Sequence, residues 1–286
     1  MRKTTLVGVV ALAAIFVTFV GCTEPNQPST DIMAGSSFIA NIIGEVADNE
    51  VETRALIPPG VCPGHYDVKP SDIEALANSR ALIIHNYQQS YQNILGAVEA
   101  ADNSDLIIRV INMTGNWMVP SVQAEGVGTI AQALGEIYPE NADYYQENAT
   151  ERGQTILAYG EAVEDRLQDA EVEGVKVICA EMQAGFVTWA GFDIVATFGR
   201  PEDLTPTQVA DLIDEAQGAG AALIIDNLQS GSTTLGASLE QDVAAIPVTI
   251  SNFPGGLENT ETWEKAIDKN VDLLLAALDE WEEQHG

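Results

Sequence analysis

The stretch "PENADYYQENATERGQTILAYGEAVEDRLQDAEVEG", residues 139–174, decides the fold. Pro139 suits a first helical position, where its missing N–H costs nothing. Helix formers fill the stretch apart from Gly153 and Gly160, and Gly174 closes it. As a single helix it would measure about 50 Å at 1.5 Å per residue. That exceeds an ordinary crossover helix, so the segment reads as a strut joining two lobes.

Working outward, short apolar runs rich in Val and Ile stand on both sides of the strut. Ala81–Ile84 and Leu106–Ile111 precede it, and Val175–Cys179, Ala221–Ile225 and Ile246–Ile250 follow it. Such runs are buried parallel strands when helices alternate with them. "TPTQVADLIDEAQ", residues 205–217, supplies one such helix. Val209, Leu212, Ile213 and Ala216 fall on one face, behind Thr205 as N-cap and Pro206 at the first turn. The fold class expected is α/β: two lobes, residues 32–138 and 175–286, each a parallel sheet flanked by helices.

The N-terminus has its own logic. "MRKTTLVGVVALAAIFVTFVGC", residues 1–22, runs from a basic start through an apolar core to Gly21-Cys22. This is a secretory signal, and "FVGC" resembles a lipobox, which makes Cys22 the lipidated first residue. Residues 23–31 then form a polar tether. The expected location is the outer face of the cell membrane. The whole chain carries a net charge of −31, with 12 Lys+Arg against 43 Asp+Glu. Loss of Arg2 and Lys3 with the signal takes it to 10 − 43 = −33. Such a surface repels nucleic acid and anionic headgroups; it suits a cation ligand, as it suits any solvated acidic surface.

Each expected strand runs into a polar residue: His85 and Asn86, Asn112, Glu181, Asp226 and Asn227, Ser251 and Asn252. In open parallel sheets ligands bind beyond the carboxyl ends of the strands, so two facing lobes enclose a cleft there. "PPGVCPGHYDVKPSDIEAL", residues 58–76, adds Cys62 and His65 in a Pro/Gly turn ahead of a helix that Ser71 or Asp72 caps. A thiolate, an imidazole and two carboxylates make a four-ligand set, so Cys62, His65, Glu181 and Asp226 are the candidate metal residues. Cys62 and Cys179 are open to three states: a disulfide, metal ligation or buried thiols.

Three pieces together resemble the zinc/manganese-type solute-binding proteins of ABC importers. They are "GHYDVKPSDIEAL" at 64–76, "GNWMVP" at 115–120 and "YPENADYYQENA" at 138–149. The resemblance implies two lobes on a rigid linking helix, little hinge motion, and a monomer that delivers zinc, manganese or a similar divalent ion to an ABC permease. The family's ligand positions depart from its pattern. The first falls at Gly64, or at His65 with a one-residue gap; the second at Gly115, beside Asn116; the third at Ala180, between Cys179 and Glu181. The fourth falls at Asn252 or Asp226. His85, Asn116, Trp117, Cys179, Asn227 and Asn252 are expected to line the cleft. The alternative is the same scaffold holding a non-metal solute or metal chelate, with Asn, Gln and backbone groups near Trp117 and Trp189 doing the binding. An enzyme with Cys62 or Cys179 as nucleophile and His65 or His85 as base ranks below both, because neither cysteine has a catalytic context.

Overall fold

A computed structural model describes residues 30–230 and 234–285. The signal segment, the lipobox with Cys22 and most of the tether lie outside the described residues. In chain order the first lobe comprises β1 (Ile32–Ala34), α1 (Ser37–Val46), β2 (Thr53–Ala55), α2 (Pro70–Asn78), β3 (Ala81–His85), α3 (Gln92–Ala101), β4 (Ile107–Ile111) and α4 (Pro120–Ile137). The linking helix is α5 (Ala142–Asp169). The second lobe comprises β5 (Lys176–Ala180), α6 (Ala184–Trp189), β6 (Asp193–Phe198), α7 (Pro206–Ala219), β7 (Leu223–Asn227), α8 (Thr234–Val243), β8 (Ile246–Ile250) and α9 (Trp263–His285).

Each lobe holds a four-stranded, all-parallel sheet. The orders are β2-β1-β3-β4 and β6-β5-β7-β8. Both orders reverse direction at the same place, between the lobe's first and third strands. That switch point opens a crevice at the strands' carboxyl ends, where the connecting loops part to opposite faces of the sheet. The five expected strands are present, while β1, β2 and β6 went unread. The sheets also extend further than expected at their carboxyl ends: His85, Ala180 and Asn227 are the last residues of their strands rather than the first loop residues.

The strut differs in detail from the sequence expectation. It opens with a tight turn at Pro139–Asn141, and the α-helix proper runs for 28 residues, about 42 Å. Glu171 and Gly174, with φ of 53° and 80°, turn the chain into β5. Gly160 is required by close packing, because a Cβ there would stand 2.5 Å from the ring of Pro120 at the start of α4. One stripe of α5 reaches both lobes. Asn148 Nδ2 donates to Val46 O at the end of α1 (2.8 Å), and Arg152 pairs with Glu45 on α1 (2.8 Å) and Glu264 on α9 (2.5 Å). The Tyr159 hydroxyl donates to Asp268 on α9 (2.5 Å).

The two lobes share one apolar core. Ile39, Ile83 and Ile130 of the first lobe belong to the same buried cluster as Val177, Phe186, Ile225 and Trp263 of the second. Trp263 is fully buried, and its Nε1–H donates to Trp117 O across the lobe boundary at 3.2 Å. A continuous core of this kind resists hinge opening, because opening exposes apolar surface at about 25 cal/mol per Å². Among the described residues no helix is long and apolar enough to cross a membrane.

Candidate functional site

The two crevices face each other and form one cavity of about 690 Å³. Its first-lobe wall is aromatic. His85 closes β3 and is 3% exposed, with Nε2 2.7 Å from the hydroxyl of Ser36, the N-cap of α1. Tyr87 stacks on the His85 ring (centroids 5.0 Å, 12° apart), and Trp117 meets it edge-on at 4.5 Å. Burial without a charged partner pushes the imidazole far below its usual value, to about 3, so the ring is neutral.

The floor is built of amides and joins the lobes. Asn116 Nδ2 donates to Met182 O (2.9 Å) and to Asn252 Oδ1 (2.7 Å). Asn252 Nδ2 donates to Met182 O (3.1 Å) and Asn227 Oδ1 (3.3 Å). Gln183 Nε2 also donates to Asn227 Oδ1 (3.0 Å), and Asn227 Nδ2 donates to Ser230 Oγ (2.8 Å). At the edge, Gln229 Nε2 donates to Pro59 O (2.7 Å) and the Ser37 hydroxyl to Pro254 O (2.7 Å), two further lobe-to-lobe bonds.

The four residues read as metal ligands are not brought together. Cys62 and Glu181 do line the cavity. His65 is exposed on the tight turn Pro63–His65, with Nε2 3.0 Å from Arg200 Nη1. A guanidinium in that place opposes a metal cation. Asp226 lies on the other side of its sheet from the cavity, because successive strand residues alternate faces and Asn227 takes the cleft side. The Asp226 carboxylate accepts from Gly236 N–H (3.1 Å), and burial raises its pKa to about 6. Among the described residues no group of three or more His, Cys, Asp or Glu side chains is close enough to hold a metal ion.

The other expected positions divide as follows. His85, Asn116, Trp117, Asn227 and Asn252 line the cavity, whereas Cys179 is wholly buried in the core. Desolvation pushes the Cys179 thiol up to about 12, the opposite of an activated nucleophile, and both Cys62 and Cys179 are free, so the disulfide is not formed. Trp189 is remote: its Nε1–H donates to Glu164 on α5 at 2.6 Å. Asp72 does tie down the start of α2, accepting from Lys69 N–H (3.0 Å) and the Tyr66 hydroxyl (2.8 Å). Gly115 has φ of 101°, a backbone that a side-chain-bearing ligand residue adopts only under strain. Cavity residues that sequence reasoning passed over include Tyr87, Tyr91, Met182 and Arg200. Arg200 follows the carboxyl end of β6, the signal that was missed with that strand.

Comparison with known proteins agrees with this architecture. A family model described as zinc-uptake complex component A, periplasmic (ZnuA), matches residues 32–277. The Mn-bound periplasmic metal binding protein from Candidatus Liberibacter asiaticus superposes with a TM-score of 0.71 at 15% identity, over 86% of this chain and 98% of that one. A crystal structure of ZnuA gives 0.69 at 18% identity, over 87% and 99%. FpvC from P. aeruginosa in complex with Ni²⁺ gives 0.68 at 16% identity, over 87% and 96%. With two such lobes, a linking helix and a family match spanning both, the chain belongs to the family of periplasmic zinc-uptake complex components.

Proposed function

We propose that this chain is the extracytoplasmic solute-binding component of an ABC importer, anchored through Cys22, acting as a monomer and not as an enzyme. Its cargo is a divalent metal ion that enters the cleft as a complex with a small organic chelator. Family membership supports the metal. The chelate is supported by the cavity itself: about 690 Å³ walled by aromatic rings and amides, without a set of three metal-binding side chains among the described residues. A bare zinc ion needs about four donors at 2.0–2.3 Å. A chelate brings most of its donors, and the cleft needs only to fit its surface. Cys62 and Glu181, both on the wall, are the two groups the protein adds to the metal.

Calorimetry with bare Zn²⁺ or Mn²⁺, against the same ions in 1:1 complexes with polycarboxylate chelators, separates this reading from a bare-ion carrier. The expected result is saturable binding of a complex and only weak binding of the free ion. Stoichiometric sub-micromolar binding of the free ion, lost in Cys62→Ser and Glu181→Gln, would establish a bare-ion carrier instead.

A further inference from the structure

Among the described residues Arg200 is the sole Lys or Arg on the cavity wall, in a chain with only 12 such residues against 43 acids. Among the described residues it forms no ion pair with a carboxylate, unlike Arg54, Arg109, Arg152 and Arg166. In so acidic a protein a half-buried guanidinium left without an acid is a conspicuous omission. Its backbone is held between the end of β6 and the tight turn Pro201–Asp203. Nη1 lies 3.0 Å from His65 Nε2 across the cleft. Nη2 passes over Gly64, where a Cβ would stand 3.6 Å from it and 3.7 Å from the Tyr91 ring. A guanidinium carries five N–H donors in a planar fork, and among the described residues only His65 meets one of them in a side-chain hydrogen bond, which leaves most for a solute.

The floor offers a solute few donors. The amide N–H groups of Asn116 and Asn252 are already committed to Met182 O, Asn252 Oδ1 and Asn227 Oδ1. An anion in the cleft therefore has one cationic partner, Arg200, on a wall that also carries the acids Glu181 and Asp203. Beside it Tyr87 and Tyr91 also line the cavity, their rings tilted by 57° with centroids 5.9 Å apart, and one face of Tyr87 is taken by the His85 ring.

We infer that Arg200, backed by His65 and Tyr91, is a carboxylate-binding subsite, and that the solute is a carboxylate-bearing organic ligand with a flat face for Tyr87. This rests on the reading of the cleft as the cargo site and names the chemical class of what it holds. The fork of Arg200 matches a carboxylate in two parallel hydrogen bonds, which a bare cation has no means to satisfy.

The test uses pyridine-2,6-dicarboxylate, free and as its 1:1 zinc complex, with the neutral pyridine-2,6-dicarboxamide as comparison. Binding is measured by calorimetry on wild type, Arg200→Gln, Arg200→Lys and Tyr87→Ala. In parallel, phenylglyoxal labelling of Arg200 is followed by mass spectrometry with and without the dicarboxylate. Expected are an affinity loss of about 30-fold in Arg200→Gln, an intermediate loss in Arg200→Lys, weak binding of the diamide, and protection of Arg200 from labelling. Wild-type affinity in Arg200→Gln together with a loss in Tyr87→Ala overturns the subsite and leaves the cleft as the cargo site. Unchanged binding in both variants overturns the subsite and the cleft reading together. A wild type that binds neither form of the dicarboxylate, and an Arg200 whose labelling is unprotected, also overturn the subsite.

Discussion

Replacing His85 with Gln should flatten the acid side of the stability curve. His85 is 3% exposed, bonded to Ser36 and enclosed by Tyr87 and Trp117, and its pKa is driven down to about 3. In the unfolded chain an imidazole titrates near 6.5. Between those values the unfolded state binds the extra proton, so stability is fully present above about pH 6.5 and is lost as pH falls. At 1.36 kcal/mol per unit the whole interval is worth about 5 kcal/mol, of which about 2 kcal/mol is lost between pH 7 and pH 5. Urea unfolding of wild type and His85→Gln at both pH values isolates the term as a double difference. The variant, less stable at pH 7, should lose about 2 kcal/mol less on going to pH 5. Equal losses in the two proteins, or an NMR titration placing the His85 ring near 6.5, would refute the reasoning.

Asp226 acts in the opposite sense: its folded pKa is raised to about 6, so stability falls as pH rises from about 4 to 6. Asp226→Asn should gain about 1–2 kcal/mol at pH 7 and nothing near pH 4, read from urea midpoints at each pH. Arg152→Ala removes the one cation between Glu45, whose pKa burial already raises, and Glu264. It should cost about 3 kcal/mol in chemical unfolding, and the triple variant with Glu45→Gln and Glu264→Gln should recover part of it. Cys22→Ser should move the protein from the membrane fraction to the soluble extracytoplasmic fraction; retention in the membrane at the wild-type level would dismiss the lipid anchor.

How much was legible follows from strand length and phase. β3, β5 and β7 are short apolar runs with β-branched residues, which only a sheet covered on both faces buries, and the edge strands β4 and β8 keep such runs although they are only partly buried. β1 and β2 have three residues each, too few for a periodic signal, and β6 (DIVATF) is only partly buried, so its apolar run is broken. The strut was legible because 28 helical residues average out two glycines. The site was less so. Whether Asp226 or Asn227 faces the cleft is a one-residue question of phase, and phase is invisible until the sheet is built. His65 was read for its ligand chemistry alone. What turned it from ligand to neighbour was Arg200, 135 residues away in the chain and at the end of an unread strand.

The way the lobes are joined bears on how a loaded protein differs from an empty one. Where an ion supplies the link between two lobes, its departure loosens them. Here the link is made by protein groups: Asn116 to Asn252, Gln229 to Pro59, Ser37 to Pro254, and Trp263 to Trp117 above a common core. Each bond joins groups that would lose partners on opening, so separating the lobes costs these bonds as well as the shared core. A ligand shifts an equilibrium only by its differential affinity for two states, and lobe opening offers it little to select. The difference between loaded and empty must then be expressed at the mouth, where groups are still free to respond. Met182 is 60% exposed and Tyr87 42% exposed, and both border the cavity. A solute lying across Tyr87 and reaching Arg200 would cover them and add its own surface to the rim. A permease reading that rim would sense cargo by contact, without requiring a domain closure that the shared core resists.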